Sequence, residues 1–176
     1  AGKPGVGQAV VDGVVVADMP AATAYSSSAQ VGPYLYIVGG YAKGDPSDTF
    51  DQVQRFDMST NTWETGPALT NPRGFGGLAA TDSYLYLLGG IPENCRSTCD
   101  SAQIDVLDLS AWPEGSWRVS DYYLPANYSF LGTTYTHTLT GGEIWIVGGI
   151  YNFFFPRYSF NFLDGVYYLP VEEGCP

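Results

Sequence analysis

Three short apolar runs punctuate the chain, and each closes on a pair of glycines: Tyr34-Leu35-Tyr36-Ile37-Val38-Gly39-Gly40, Tyr84-Leu85-Tyr86-Leu87-Leu88-Gly89-Gly90 and Glu143-Ile144-Trp145-Ile146-Val147-Gly148-Gly149. Large side chains at successive positions describe a strand covered on both faces, and the runs are too short for an apolar stripe recurring every 3.6 residues. The Gly-Gly pair then marks a tight bend against a neighbouring element, where a side chain would collide. Upstream of each run lies a segment of small residues, Ala24 to Ala29, Gly74 to Ala80 and Thr133 to Thr138. Downstream, Val53-Gln54-Arg55-Phe56-Asp57 precedes Trp63, and Ile104-Asp105-Val106-Leu107-Asp108 precedes Trp117. The third copy offers Val166-Tyr167-Tyr168-Leu169, without an Asp after its aromatic pair and without a following Trp.

The pattern is therefore an internal repeat, and finding it precedes any local assignment. Gly39, Gly89 and Gly148 lie 50 and 59 residues apart, and the copies align without gaps from Thr23, Arg73 and Gly132. Predicted strands, labelled a to d in chain order within each copy, cover 23–29, 33–38, 52–57 and 62–64, then 73–80, 84–88, 103–108 and 116–119. The third copy supplies a, b and c only, near 132–138, 143–147 and 163–169. Residues Gln8 to Ala17 read as one further strand at the N-terminal side. Trp63 and Trp117 are expected to fill space between units.

This repeat resembles the kelch family, whose unit of about 50 residues ends an apolar run in Gly-Gly and continues to an aromatic-Asp strand and a Trp. The resemblance covers Thr23 to Leu169. It implies an all-β fold of antiparallel four-stranded blades of the β-propeller type. The implied organisation is an N-terminal segment at 1–20 carrying a closing or exchanged strand, blade one at 21–70, blade two at 71–125, and blade three, lacking its outer strand, at 126–176. Twelve strands make three blades' worth, whereas propeller rings use about four to eight blades. Two expectations follow. Either chains associate, the N-terminal strand of one completing blade three of another in a six-bladed ring or a filament, or the 176 residues are part of a longer propeller.

Composition narrows the function. The chain has 22 glycines, 12 prolines and 27 aromatic residues, with 45% apolar and only 14% charged positions, which excludes a disordered or collagen-like chain. The repeat accounts for the glycine and aromatic excess. A net charge of -11 has the wrong sign for a nucleic-acid partner, and no apolar run is long enough for a membrane span. The chain starts at Ala1 rather than Met, as expected of a removed leader or a late start. Asn127-Tyr128-Ser129 is a glycosylation acceptor pattern with Asn127 as the candidate. Cys95 and Cys99 are a candidate local disulfide, and Cys175 is the odd one out. These features set the expected location as extracellular.

Candidate recognition residues sit in the b-to-c connections. The third, Ile150 to Phe160, is read as a loop dense in aromatics, with Tyr151, Phe153, Phe154, Phe155 and Tyr158 as candidate partner-binding side chains or as packing against a neighbouring chain. Asp45, Asp48 and Asp51 match no tight calcium loop, so a solvated acidic loop is the expectation. His137, the one histidine, aligns with Ser28 and Leu78 in an innermost strand and reads as structural. Some kelch-like propellers are copper-radical oxidases or sugar isomerases, but the metal ligands of the former have no counterparts here. Arg73 and Glu143 are conceivable anion-binding or acid/base groups, with nothing in the spacing to pair them. No catalytic residue, cofactor or metal is therefore expected. The function expected is a non-enzymatic structural or interaction protein that self-assembles or binds a protein, including an extracellular fibre or surface layer. The alternative is a recognition module of a receptor or adaptor that binds protein or glycan, and a carbohydrate-active enzyme ranks last.

Overall fold

A computed structural model describes residues 10–11, 14–41, 49–93, 100–138, 141–154 and 159–171. Nearly every element is a strand, and every pairing between strands is antiparallel. At the N-terminal side β1 (Val10–Val11) and β2 (Val14–Val15) pair with each other. Blade one is a four-stranded meander of β3 (Ser27–Val31), β4 (Tyr34–Val38), β5 (Val53–Asp57) and β6 (Thr62–Thr65). A short β7 (Arg73–Gly74) leads into blade two, made of β8 (Gly77–Ala80), β9 (Tyr84–Leu88), β11 (Ser101–Asp108) and β12 (Arg118–Ser129). Between them β10 (Ile91–Pro92) pairs back onto β7. Blade three has three strands in order, β13 (Gly132–Thr138), β14 (Gly141–Val147) and β17 (Val166–Val171). The hairpin of β15 (Ile150–Phe154) and β16 (Ser159–Phe162) interrupts it.

The two hydrophobic cores are the two junctions between blades. Tyr36, Val38 and Val53 on one side of blade one pack against Leu78, Leu85, Leu87, Leu107 and Trp117 of blade two, with Leu69 between them. Ala79, Tyr86, Leu88, Ile104 and Val106 on the other side of blade two pack against Ile144 and Ile146 of blade three. Because side chains alternate across a strand, β9 feeds both junctions, Leu85 and Leu87 on one side and Tyr86 and Leu88 on the other, which is why its run is apolar at both parities. Asp57 and Asp108 end their c strands by accepting N–H and O–H bonds from Ser59 and Ser110 at 2.6–2.8 Å. The repeat's Asp is thus the turn into the outer strand.

Three details depart from the expected layout. First, the outer strand of blade two runs through twelve residues rather than four. Second, the β13–β14 hairpin is four residues longer than its counterparts: Ser27 pairs with Val38 and Gly77 with Leu88, whereas Gly132 pairs with Val147. The gapless alignment therefore fails upstream in the third copy, and Thr133 rather than His137 is the equivalent of Ser28 and Leu78. Third, Ile150 to Phe160 is not a loop throughout. Its ends are β15 and β16, which extend the blade-two sheet by pairing Tyr128 with Tyr151 and Ser129 with Ile150. Aromatic residues are good strand formers, and the overlong β12 offers them unpaired backbone groups.

Candidate interaction face

The residue that opens each innermost strand is aromatic and left-handed: Tyr25, Phe75 and Phe130 have φ of 57°, 58° and 57°. Such backbone is uncommon for a bulky side chain. Here it turns the chain from the interblade linker into the strand, and successive blades lock the turn. Phe75 N–H donates to the Tyr25 carbonyl at 2.9 Å and Phe130 N–H to the Phe75 carbonyl at 2.6 Å. The three rings consequently form a ladder, with centroids 4.3 and 4.2 Å apart and planes tilted by 33° and 34°.

A buried tyrosine is the floor of this ladder. The Tyr41 ring lies 5.1 Å from Phe75 and edge-on to Tyr25 at 6.4 Å, and its hydroxyl donates to the Ile91 carbonyl of blade two at 3.1 Å. Burial pushes the Tyr41 phenol well above its ordinary range. A Cβ on Gly74 would strike the Tyr41 ring, so the small residue before Phe75 is required by the floor. Tyr25 remains 57% and Phe130 42% exposed. The ladder is therefore a rigid apolar strip at the Gly-Gly end of the blades, where the b-to-c connections emerge. At the opposite end, a groove of about 400 Å³ follows the innermost strands from Ser28 to Gly32, Leu78 to Asp82 and Thr133 to Tyr135.

The residues singled out from sequence fall elsewhere. Tyr151 is half-buried and packs edge-on against Tyr128 at 6.4 Å, and the backbone of Phe153 and Phe154 belongs to β15. Phe155, Tyr158, Cys95, Cys99, Cys175, Asp45 and Asp48 lie outside the described residues. Asn127 is exposed on β12, while Ser129 of the same triplet is buried and donates to Asp100 at 2.6 Å. His137 is exposed near the tip of the β13–β14 hairpin, 3.3 Å from the Tyr135 hydroxyl. Among the described residues no three His, Cys, Asp or Glu side chains converge as a metal site, and no helix is long and apolar enough to cross a membrane.

Arg73 does not face a channel. It is 2% exposed and pairs with the equally buried Asp105 at 2.6 Å, while also donating to the carbonyls of Gly89 at 2.8 Å and Asn71 at 3.2 Å. Burial lowers the pKa of its guanidinium and Asp105 works against that shift. Blade one makes the same anchor without charge. Thr23 donates to the Gly39 carbonyl at 3.0 Å, and the Gln54 amide donates to Ala21 O at 3.0 Å and accepts from Ala21 N–H at 2.9 Å. Glu143 lies on the side of blade three opposite Ile144 and Ile146, away from Arg73.

Residues 22–70, blade one with its linkers, match the family model described as the kelch motif. This stretch of the chain is a kelch motif. The chain is 36% identical over 78 residues to an F-box/kelch-repeat protein of Arabidopsis thaliana, a match covering 42% of this chain and 18% of that one. To the human Kelch-like protein 13 it is 39% identical over 64 residues, 35% of this chain and 10% of that one. To the kelch repeat and BTB domain-containing protein 1 of cowpox virus it is 28% identical over 119 residues, 68% of this chain and 19% of that one. The chain thus spans less than a fifth of each of these relatives. The ladder escaped sequence reasoning for one reason. Its signal is an aromatic two residues ahead of the innermost strand, and Phe130 comes into register only after the four-residue difference in the third hairpin is known.

Proposed function

We propose that the chain is a non-enzymatic protein-interaction module whose contact strip is the Tyr25-Phe75-Phe130 ladder. The observation that carries this reading is a stack of three aromatics, its two end rings Tyr25 and Phe130 exposed, on a backbone held in an uncommon conformation. Rigid aromatic anchors give large contact area at little entropic cost, and such residues dominate interface energetics. The consumption of Arg73 by Asp105 and backbone carbonyls favours binding over the acid/base alternative.

The test is capture of protein partners from the native source by the wild-type chain, by Tyr25→Ala and Phe130→Ala, and by Gln30→Ala and Asp82→Ala at the opposite end. A partner kept by the last two and lost by the first two, with melting unchanged, supports the reading; a partner indifferent to the ladder overturns it. The proposal extends to an extracytoplasmic setting and a fibre or surface layer. The exposed Asn127 supports the setting alone; the mass lost on glycosidase treatment tests the setting, and electron microscopy of native material tests the fibre or layer.

A further inference from the structure

Blade three carries a junction face with nothing on it among the described residues. Its core-facing positions, Ile144 and Ile146, are buried against blade two. Alternation puts Trp145 and Val147 of β14, with Val166 and Tyr168 of β17, on the other side. Val147 is 50%, Val166 57% and Tyr168 58% exposed. Trp145 and Val147 hold the places that Tyr36 and Val38, then Tyr86 and Leu88, hold in the two filled junctions, where all four are buried. The glycines repeat the point. A Cβ on Gly39 would strike the Arg73 carbonyl of the following blade, and one on Gly89 the Tyr128 carbonyl, but one on Gly148 meets no atom within 4 Å.

The complementary half stands at the other end of the chain. Blade one turns Leu35, Ile37, Phe56 and Trp63 away from blade two, at the positions of Leu85, Leu87, Leu107 and Trp117. The segment from Ala17 to Thr23 already lies over this face as an interblade linker does. Trp63 donates its indole N–H to Ala17 O at 2.9 Å, as Trp117 donates to Pro67 O at 3.0 Å. Ala17 and Pro67 are 50 residues apart, as are Thr23 and Arg73, whose carbonyl accepts from Gly40. Both halves of a third junction are present, on opposite ends of the molecule.

We infer that the open face of blade three binds the blade-one face of a second copy, head to tail, with the Thr23 carbonyl of that copy set against Gly148. The contact is heterologous, so two copies close a ring or many extend a filament according to the rotation it imposes. In the same register Val14–Val15 stands 50 residues before Glu64-Thr65 of the outer strand of blade one. That places it to add to the edge of β17 in the neighbouring copy.

Light scattering on the 19.0 kDa chain over a concentration series tests this. The expected result is association to two or more chains, abolished by Val166→Lys/Tyr168→Lys and by Leu35→Lys, with melting of the dispersed chains retained. Because the contact is heterologous, mixing the two variants restores one intact junction and stops at two chains. Gly148→Ala, which meets no atom of its own chain, also blocks association and serves should the lysine variants fold poorly. A single chain at every concentration, meaning that a further blade of a longer polypeptide is what fits this face, overturns the inference. So does association that survives the variants on both faces.

Discussion

The buried Arg73–Asp105 pair offers a sharp prediction, since blade one solves the same anchoring problem with Thr23 and Gln54. Asp105→Ala leaves a guanidinium at 2% exposure held only by carbonyl oxygens. Breaking a buried pair from one side costs about 3–5 kcal/mol. For a chain of this size 1 kcal/mol moves the melting temperature by about 2–4 °C, so a fall of roughly 6–20 °C is expected. The double replacement Arg73→Thr/Asp105→Gln transplants the blade-one arrangement and removes both charges together. Its cost is that of rebuilding one or two neutral hydrogen bonds, about 1–2 kcal/mol, and a melting temperature within about 8 °C of wild type. Thermal unfolding followed by tryptophan fluorescence reads both, with Trp117 in the affected junction. If Asp105→Ala melts within about 2 °C of wild type, or the double variant melts no higher than the single, the pair does not hold the junction as argued.

Other consequences are open to measurement. Gly39→Ala and Gly89→Ala, whose Cβ atoms meet backbone carbonyls of the next blade, are expected to unfold the chain or lower its melting temperature steeply. Gly148→Ala, at the same φ with open space around it, is expected to cost only the left-handed strain of about 1–2 kcal/mol. Equal costs at the three sites would refute the junction account. Asp57 and Asp108 have carboxyl groups held below the usual aspartate range by hydrogen bonds from Ser59 and Ser110. Depressed folded values stabilise the fold above the unfolded pKa of about 4 and lose that stabilisation as pH falls through the folded value. Acid titration of Asp57→Asn/Asp108→Asn should accordingly show a shallower loss of stability below pH 4 than wild type, and parallel curves would contradict it. Trp117→Phe removes the hydrogen bond to the Pro67 carbonyl but keeps a ring in the junction, so urea denaturation should register a loss of about 1–2 kcal/mol. Tyr25→Ala, exposed on the ladder, should leave the urea midpoint nearly unchanged while weakening partner capture.

The repeat, its strands and its bends were legible along the chain because each is a local requirement. The Gly-Gly pairs report φ near 60° and 100° at one place per repeat, and the apolar runs report a strand covered on two faces. Asp57 and Asp108, which end the c strands of blades one and two, report a turn within three residues of themselves. What the linear pattern did not carry was anything requiring two blades at once. Arg73 reads as an available cation until Asp105, 32 residues later, is folded over it. Tyr25, Phe75 and Phe130 are unremarkable residues until interblade hydrogen bonds stack them. The aromatics between Tyr151 and Phe160 read as a loop because the edge that recruits them, the end of β12, belongs to another blade. Local sequence determined the a, b and c strands of each blade, since backbone geometry and side-chain alternation act over a few residues. Only the tertiary structure decided which faces are filled and which remain open, because burial depends on what the neighbouring blade presents.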